Sequence, residues 1–281
     1  MHFLLLEHRY YMGKILKKRK NIIFLLLSFA LVSCVHPEPI NNACDPSTKK
    51  RDVEPSETMP KPFKPQDAIN SIVLVVGSVY HNKQSIGDWY GSGAIVGHNE
   101  KHGTMILTAG HVCVISGFPT PPDGMGPLTW TLSIVDKDDK MYLAKVSFVV
   151  KEFDACLINI DLIDSPTLEL ATEVLSVGDI VTSISAPFAV FGDGVSLIYD
   201  GRFAGVFILD TGSDVALYTL PSAQGSSGAP ILDDTGKIVG LISQVNGSFH
   251  HITISPTQKE LKTLFSGKAN TVKYTFPSLV N

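Results

Sequence analysis

The stretch "AQGSSGAPILDDTGKIVG" (223–240) holds two catalytic grammars in one short run. Its front half sets a serine among glycines, and its back half spells Asp-Thr-Gly, the tripeptide that surrounds a catalytic aspartate in aspartic proteases. The same tripeptide stands upstream in "ILDTGSD" (208–214). Aspartate chemistry needs two carboxylates that share a proton, each carried by its own lobe or subunit. Asp210 and Asp234 leave no room for a lobe between them, and each lies between apolar runs where Asp and Gly supply a hairpin turn. The Asp-Thr-Gly pair therefore reads as two turns.

The serine fares differently. A hydroxyl attacks a carbonyl only when a histidine takes its proton, a carboxylate holds that histidine's tautomer, and N–H donors receive the oxyanion. A glycine two residues before Ser227 lets the backbone curl, so that the N–H groups of Gly225 and Ser227 converge. Two partners stand upstream: "MILTAGHVC" (105–113) puts His111 just after an apolar strand, and "FDACLINI" (153–160) puts Asp154 at the head of another.

With Thr-Ala-Gly-His, an Asp before small and apolar residues, and Gly-Ser-Ser-Gly-Ala-Pro in that order, the chain resembles the trypsin-like serine proteases. "GSGAIV" (91–96) matches the glycine-containing strand ahead of the histidine in that family. The resemblance covers about residues 70 to 266, with spacings like those of glutamyl endopeptidases and periplasmic quality-control proteases. It implies two six-stranded antiparallel β-barrels with a C-terminal helix and the site between them. It also implies roles: Ser227 as nucleophile, His111 as base and then acid, Asp154 as its orienting partner, and Gly225 with Ser227 as oxyanion hole. Ser243 falls where the family has a serine touching the aspartate, and Gln244 with Val245 falls on the strand that pairs with substrate.

Departures from the pattern carry information. Ser226 stands where trypsin-type zymogens place the aspartate that receives a new amino terminus, which argues against that route of activation. Ala229 replaces the second glycine of the motif, and the cysteine after the histidine is displaced to Cys113. Cys113 and Cys156 each lie two residues beyond a triad member, which leaves either a disulfide or two packed core thiols. Pro221, near the base of the implied primary pocket, brings no carboxylate for Arg or Lys. Glutamate-specific relatives use a pocket histidine, and the resemblance offers His251 or His250 for that role.

The surrounding chain agrees in kind. From Ala68 onward, short runs rich in Val, Ile, Thr and Tyr, such as "SIVLVVGSVY", "MYLAKVSFVV" and "KIVGLISQV", alternate with Gly, Pro, Asn and Asp, and no long helical period intervenes. That pattern predicts an all-β protein. One helix is expected after Ser255 as N-cap, with Pro256 at its first position, Gln258 closing a capping box, and Leu261, Leu264 and Phe265 on one face. "HNEKH" (98–102) and "DKDDK" (136–140) lack zinc and calcium spacing, so no metal or other cofactor is expected. The Gly-x-Ser-x-Gly elbow of α/β-hydrolases fails as well, because Pro230 stands where a helix should start.

At the N-terminus, Lys14, Lys17, Lys18, Arg19 and Lys20 precede "NIIFLLLSFALV" and Ser33. A cationic stretch, an apolar run below the ~20 residues of a membrane span and a small residue before the cut describe a signal peptide. "LVSC" (31–34) resembles the lipobox of bacterial lipoproteins, which implies acylation of Cys34 and a membrane-anchored, exported protein of the cell envelope. Residues 35 to 66 hold seven prolines and read as a semi-extended tether. The expected order is signal peptide 1–33, lipid-anchored tether 34–67, protease domain 68–266 and tail 267–281. A net charge of −4 without a basic stripe excludes nucleic acid as a partner. The expected partners are a protein or peptide substrate and the membrane. The rival reading is a catalytically silent lipoprotein of the same fold that binds a peptide or protein.

Overall fold

The computed structural model describes residues 63–266 apart from 101, 115–127, 162, 193–194, 210–211 and 247–248, with the backbone alone at 246, 249 and 250. The expected signal peptide, Cys34 and the C-terminal tail lie outside the described residues, as does all of the tether but its last few positions. Those last positions are folded: Pro65–Ile69 forms a short helix, α1, and Phe63 packs against the first core. Pro65 suits the first turn of a helix, where its missing N–H would have no partner.

Two antiparallel sheets make up the body. The first contains β1 (Ile72–His81), β2 (Gln84–Asn99), β3 (Gly103–Ala109), β4 (Thr129–Val135), β5 (Met141–Leu143), β6 (Lys145–Val150) and β7 (Ala155–Ile160), in the order β5-β4-β1-β2-β3-β7-β6. The second contains β8 (Ile180–Ser185), β9 (Leu197–Ile208), β10 (Asp214–Tyr218), β11 (Pro230–Leu232), β12 (Ile238–Leu241), β13 (Gln244–Asn246) and β14 (Phe249–Ser255), in the order β12-β11-β8-β9-β10-β14-β13.

Seven strands per sheet reconcile with six per barrel through the two sheet ends. β5 and β6 are one run of chain broken only at Ala144; its first part pairs with β4 and its second with β7. β12 and β13 repeat the arrangement, broken at Ile242 and Ser243, with β12 on β11 and β13 on β14. Each such run joins both ends of its sheet and closes the barrel.

Inward-facing residues form two cores. Ile72, Ile95, Ile106, Leu132, Ile134 and Ile158 are buried in the first; Val181, Tyr218, Leu220, Ile231 and Val239 are buried in the second. β-branched residues predominate because they fill the pleated, half-buried surface well. Burial lifts the Tyr218 hydroxyl well above the ordinary tyrosine range, and that hydroxyl donates to Val239 O at 3.2 Å.

The two Asp-Thr-Gly stretches serve as turns wherever they are described. Asp233 Oδ1 accepts from the backbone N–H groups of Thr235 and Lys237, both at 2.9 Å, and Gly236 adopts φ +82°, which closes the β11–β12 hairpin with Asp234 at its tip. The upstream stretch joins β9 to β10, with Leu209 N–H bonded to Ser213 O at 2.9 Å; Asp210 itself lies outside the described residues.

The C-terminal helix is present at Gln258–Phe265, but its cap differs from the expected one. Thr257, not Ser255, is the N-cap, and Glu260, not Gln258, closes the capping box. The Ser255 hydroxyl is used inside the barrel, where it accepts from Leu241 N–H at 2.9 Å. Two residues further on, Thr257 is free to bond the first turn. Leu261 and Leu264 face the core as expected.

Candidate active site

His111 lies in α2 (Gly110–Cys113), a single turn at the end of β3. Two features aim it. Gly77 lies opposite Trp89 across the β1–β2 ladder, and a side chain there would run into the indole, its Cβ only 2.0 Å from the ring. The indole thus crosses the strand freely, and its Nε1–H donates to Val112 O at 2.9 Å. From the other side, Gly110 N–H donates to Asp154 O at 2.9 Å.

Asp154 closes the turn before β7 with φ +51°, a left-handed conformation that aspartate tolerates better than most residues. Its carboxylate gathers three donors. Oδ1 accepts from His111 backbone N–H at 2.7 Å, Oδ2 meets His111 Nδ1 at 2.8 Å, and Oδ2 also accepts from the Ser243 hydroxyl. A carboxylate only accepts, so it fixes the proton on Nδ1 and leaves Nε2 as the free lone pair. Ser243 stands at the break that closes the second barrel, which explains how one residue reaches across to the first.

Cys113 and Cys156 form a disulfide. The alternative of two free core thiols is thereby set aside. The bridge joins the end of α2 to β7, just beyond the His–Asp contact, and both sulfur-bearing residues are fully buried.

Two successive turns shape the serine loop. Ser226 N–H bonds to Ala223 O at 2.9 Å and Ala229 N–H to Ser226 O at 3.0 Å. The N–H groups of Gly225 and Ser227 stay outside both turn hydrogen bonds, as an anion-receiving pair requires. Gly225 adopts φ +92°, and a Cβ there would come within 2.8 Å of Phe188 N. Phe188 N–H in turn donates to Gln224 O at 2.8 Å.

His111, Asp154 and Ser227 line one open cleft of about 570 Å³ together with Ser243 and Val245, while Gly225 is buried just behind it and is not among the lining residues. Among the described residues no hydrogen bond joins His111 to Ser227; the ring's partner is Asp154. Lys151, Ser222 and Gln224 also line the cleft. Ser222 is anchored by Thr253, whose hydroxyl lies 3.1 Å from its own. His251 is exposed on β14, two residues before Thr253 and so on the same strand face, and it is not among the residues lining the cleft. His98 and Asp136, from the two rejected metal motifs, are occupied structurally: His98 Nε2 lies 2.7 Å from Ser165 O, and Asp136 Oδ1 holds the turn through Asp138 and Lys140 N–H groups.

Comparison with known proteins agrees with this architecture. The family model described as "Trypsin-like peptidase domain" matches residues 91–241. No curated protein matches the sequence. Among solved structures, the active form of the Rv3671c protease from M. tuberculosis superposes with a TM-score of 0.56 at 17% identity, covering 79% of this chain and 96% of that one. An inactive serine-to-alanine form of Rv3671c gives 0.51 at 16% identity, over 72% of this chain and 88% of that one. The HtrA-type protease AlgW, bound to a tripeptide, gives 0.56 at 17% identity; the match covers 73% of this chain and 62% of AlgW.

Proposed function

Because the chain belongs to the trypsin-like peptidases, we propose that it is a serine endopeptidase that works through His111, Asp154 and Ser227. The observation that carries this reading is the cleft in which Asp154 engages Nδ1 of His111 while Ser227 shares the same opening. Contacts of this kind tighten when substrate binds, so the open site is compatible with catalysis.

In the proposed reaction Ser227 Oγ attacks the scissile carbonyl and passes its proton to His111 Nε2. The negative charge then grows on the carbonyl oxygen, where the N–H groups of Gly225 and Ser227 receive it. His111 returns the proton to the leaving amine, and an acyl-enzyme remains. A water molecule, deprotonated by the same nitrogen, releases the acid and restores Ser227. Asp154 keeps the imidazole in the productive tautomer and stabilises its charged form.

Substrate would lie extended along β13, which pairs only with β14 among the described strands and so has main-chain groups free to accept another strand. Export fits the same reading. The segment ending in Cys34 has the order of a lipoprotein signal, and the Cys113–Cys156 disulfide suits an oxidising compartment. We therefore place the enzyme in the cell envelope, tethered through lipid on Cys34.

The test is labelling by a biotinylated fluorophosphonate, with cleavage profiling of a peptide library. Wild type should label and cleave, and Ser227→Ala should do neither. A folded wild type that stays unlabelled would instead favour a silent peptide-binding protein. Metabolic incorporation of palmitate that persists in Cys34→Ala would remove the lipid assignment.

A further inference from the structure

Ser92 sits in β2, between Gly91 and Gly93, and it is fully buried. Its hydroxyl donates to Gly225 O at 2.8 Å and accepts from Ala186 N–H at 2.9 Å. Its backbone N–H donates to Ser227 O at 2.7 Å, and its carbonyl accepts from the Thr108 hydroxyl at 2.7 Å. One residue of the first barrel thus holds both ends of the oxyanion segment and the strand that leads to His111.

On the proposed protease reading, we infer that Ser92 is a positioning residue for the oxyanion hole, acting through its hydroxyl on the Gly225 peptide. The inference follows from what each contact fixes. Gly225 adopts φ +92° and has no side chain to hold it there, so its orientation depends on what its carbonyls meet. Phe188 N–H takes the carbonyl of the peptide before it, that of Gln224, at 2.8 Å, and Ser92 takes the carbonyl after it. Ala186 N–H, which leads into Phe188, is bonded to the same Ser92 oxygen. The hydroxyl therefore links the two walls that clamp the Gly225 N–H. Removing it leaves a buried donor and a buried acceptor unpaired at once, and both can recover partners only by moving.

Such a movement should be felt where charge develops and scarcely where the substrate chain binds. Ser92→Ala should lower kcat about 10–100-fold, less than the roughly 10²–10³ that outright removal of an oxyanion donor costs because the Gly225 N–H is displaced and not deleted, with KM within about twofold of wild type. Binding of a peptide aldehyde, whose hemiacetal oxygen occupies the hole, should weaken by the same factor as kcat. The pH at which kcat/KM is half-maximal should stay fixed, because the His111–Asp154 pair is not touched. A general structural role would instead raise KM and move the pH profile together.

Ser92→Cys keeps the size with a weaker donor and guards against an alanine variant that fails to fold. It should fall between wild type and Ser92→Ala in both kcat and aldehyde affinity. An active wild type matched in kcat and aldehyde affinity by either variant overturns this proposal alone, as does a shifted pH profile. A wild type that neither labels nor cleaves overturns the protease reading and this inference with it.

Discussion

Reducing the Cys113–Cys156 disulfide should cost stability and leave the chemistry nearly intact. The bridge closes a loop with a sequence separation of 43, and the chain-entropy relation gives about 4 kcal/mol for a loop of that length at 25 °C. For a body of roughly 200 residues, each kcal/mol corresponds to about 2–4 °C in Tm, so reduction should lower Tm by about 8–16 °C. Comparing oxidised wild type with wild type refolded in reductant keeps every side chain in place, which a Cys→Ala pair does not. Differential scanning calorimetry in the two states makes the measurement, with the double variant Cys113→Ala/Cys156→Ala as a reductant-insensitive control.

The same structure says why activity should survive. Thr108 pairs with Cys156 and Ala109 with Ala155 along the β3–β7 ladder, and Gly110 N–H and His111 N–H both bond Asp154. With the sulfurs separated, those bonds still hold the imidazole to its carboxylate. kcat/KM at 25 °C should remain within about threefold of the oxidised enzyme, on the scale of one weak hydrogen bond. Midpoints agreeing within 2 °C would refute the loop-entropy argument, and a hundredfold loss of activity in folded, reduced protein would refute the claim that backbone contacts place His111.

Gly228→Ala should be far more damaging than its size suggests: φ is +87°, and the new Cβ would lie 2.1 Å from Thr108 Oγ1 and 2.2 Å from Ser92 O, so fluorophosphonate labelling of Ser227 should fall at least tenfold; labelling at the wild-type rate would contradict the close approach. Tyr218→Phe should alter the alkaline limb of stability. Because burial raises the folded hydroxyl above its unfolded value near 10, the native state keeps a proton that the unfolded chain releases. Stability conferred by that group is complete below pH 10 and declines above it, by about 1.4 kcal/mol per pH unit. Urea midpoints of the variant should therefore fall less steeply than those of wild type above pH 10, and parallel slopes would count against the assignment.

The backbone geometry around the candidate site was legible in the sequence because each motif encodes its own backbone requirement. A glycine must precede and follow Ser227, and His111 must leave a strand at a tight turn. Strands were legible for the same local reason, including the single runs "MYLAKVSFVV" and "KIVGLISQV". That each run would close a barrel by serving both ends of its sheet was not, since closure is a fact about partners and not about the run. The helix cap moved from Ser255 to Thr257 because a tertiary bond to Leu241 claimed the earlier hydroxyl. Thr-x-x-Glu at 257–260 was the available signal, and it outranks Ser-x-x-Gln when the first serine is buried. The role of Ser92 is not legible in the sequence for a deeper reason. Its hydroxyl meets residues separated from it by 133 and 94 positions, and nothing local distinguishes it from any small residue in a glycine-rich strand.

Among the contacts that cross between the barrels, two run in opposite directions. Ser92, in the first, bonds the carbonyl of Ser227 in the second; Ser243, in the second, bonds the carboxylate of Asp154 in the first. On the proposed reading, each barrel thus holds the catalytic group that the other contributes. Neither strap can form in a half-assembled protein, and each stands on a well-formed element: Ser92 on a central strand, Ser243 at the closure of its barrel. The reactive geometry is therefore a property of the docked pair. Loosening the interface should abolish it before either core melts, so activity in rising urea should disappear ahead of the far-ultraviolet circular dichroism of the strands. Coincidence of the two transitions would mean instead that the barrels and their interface form a single cooperative unit.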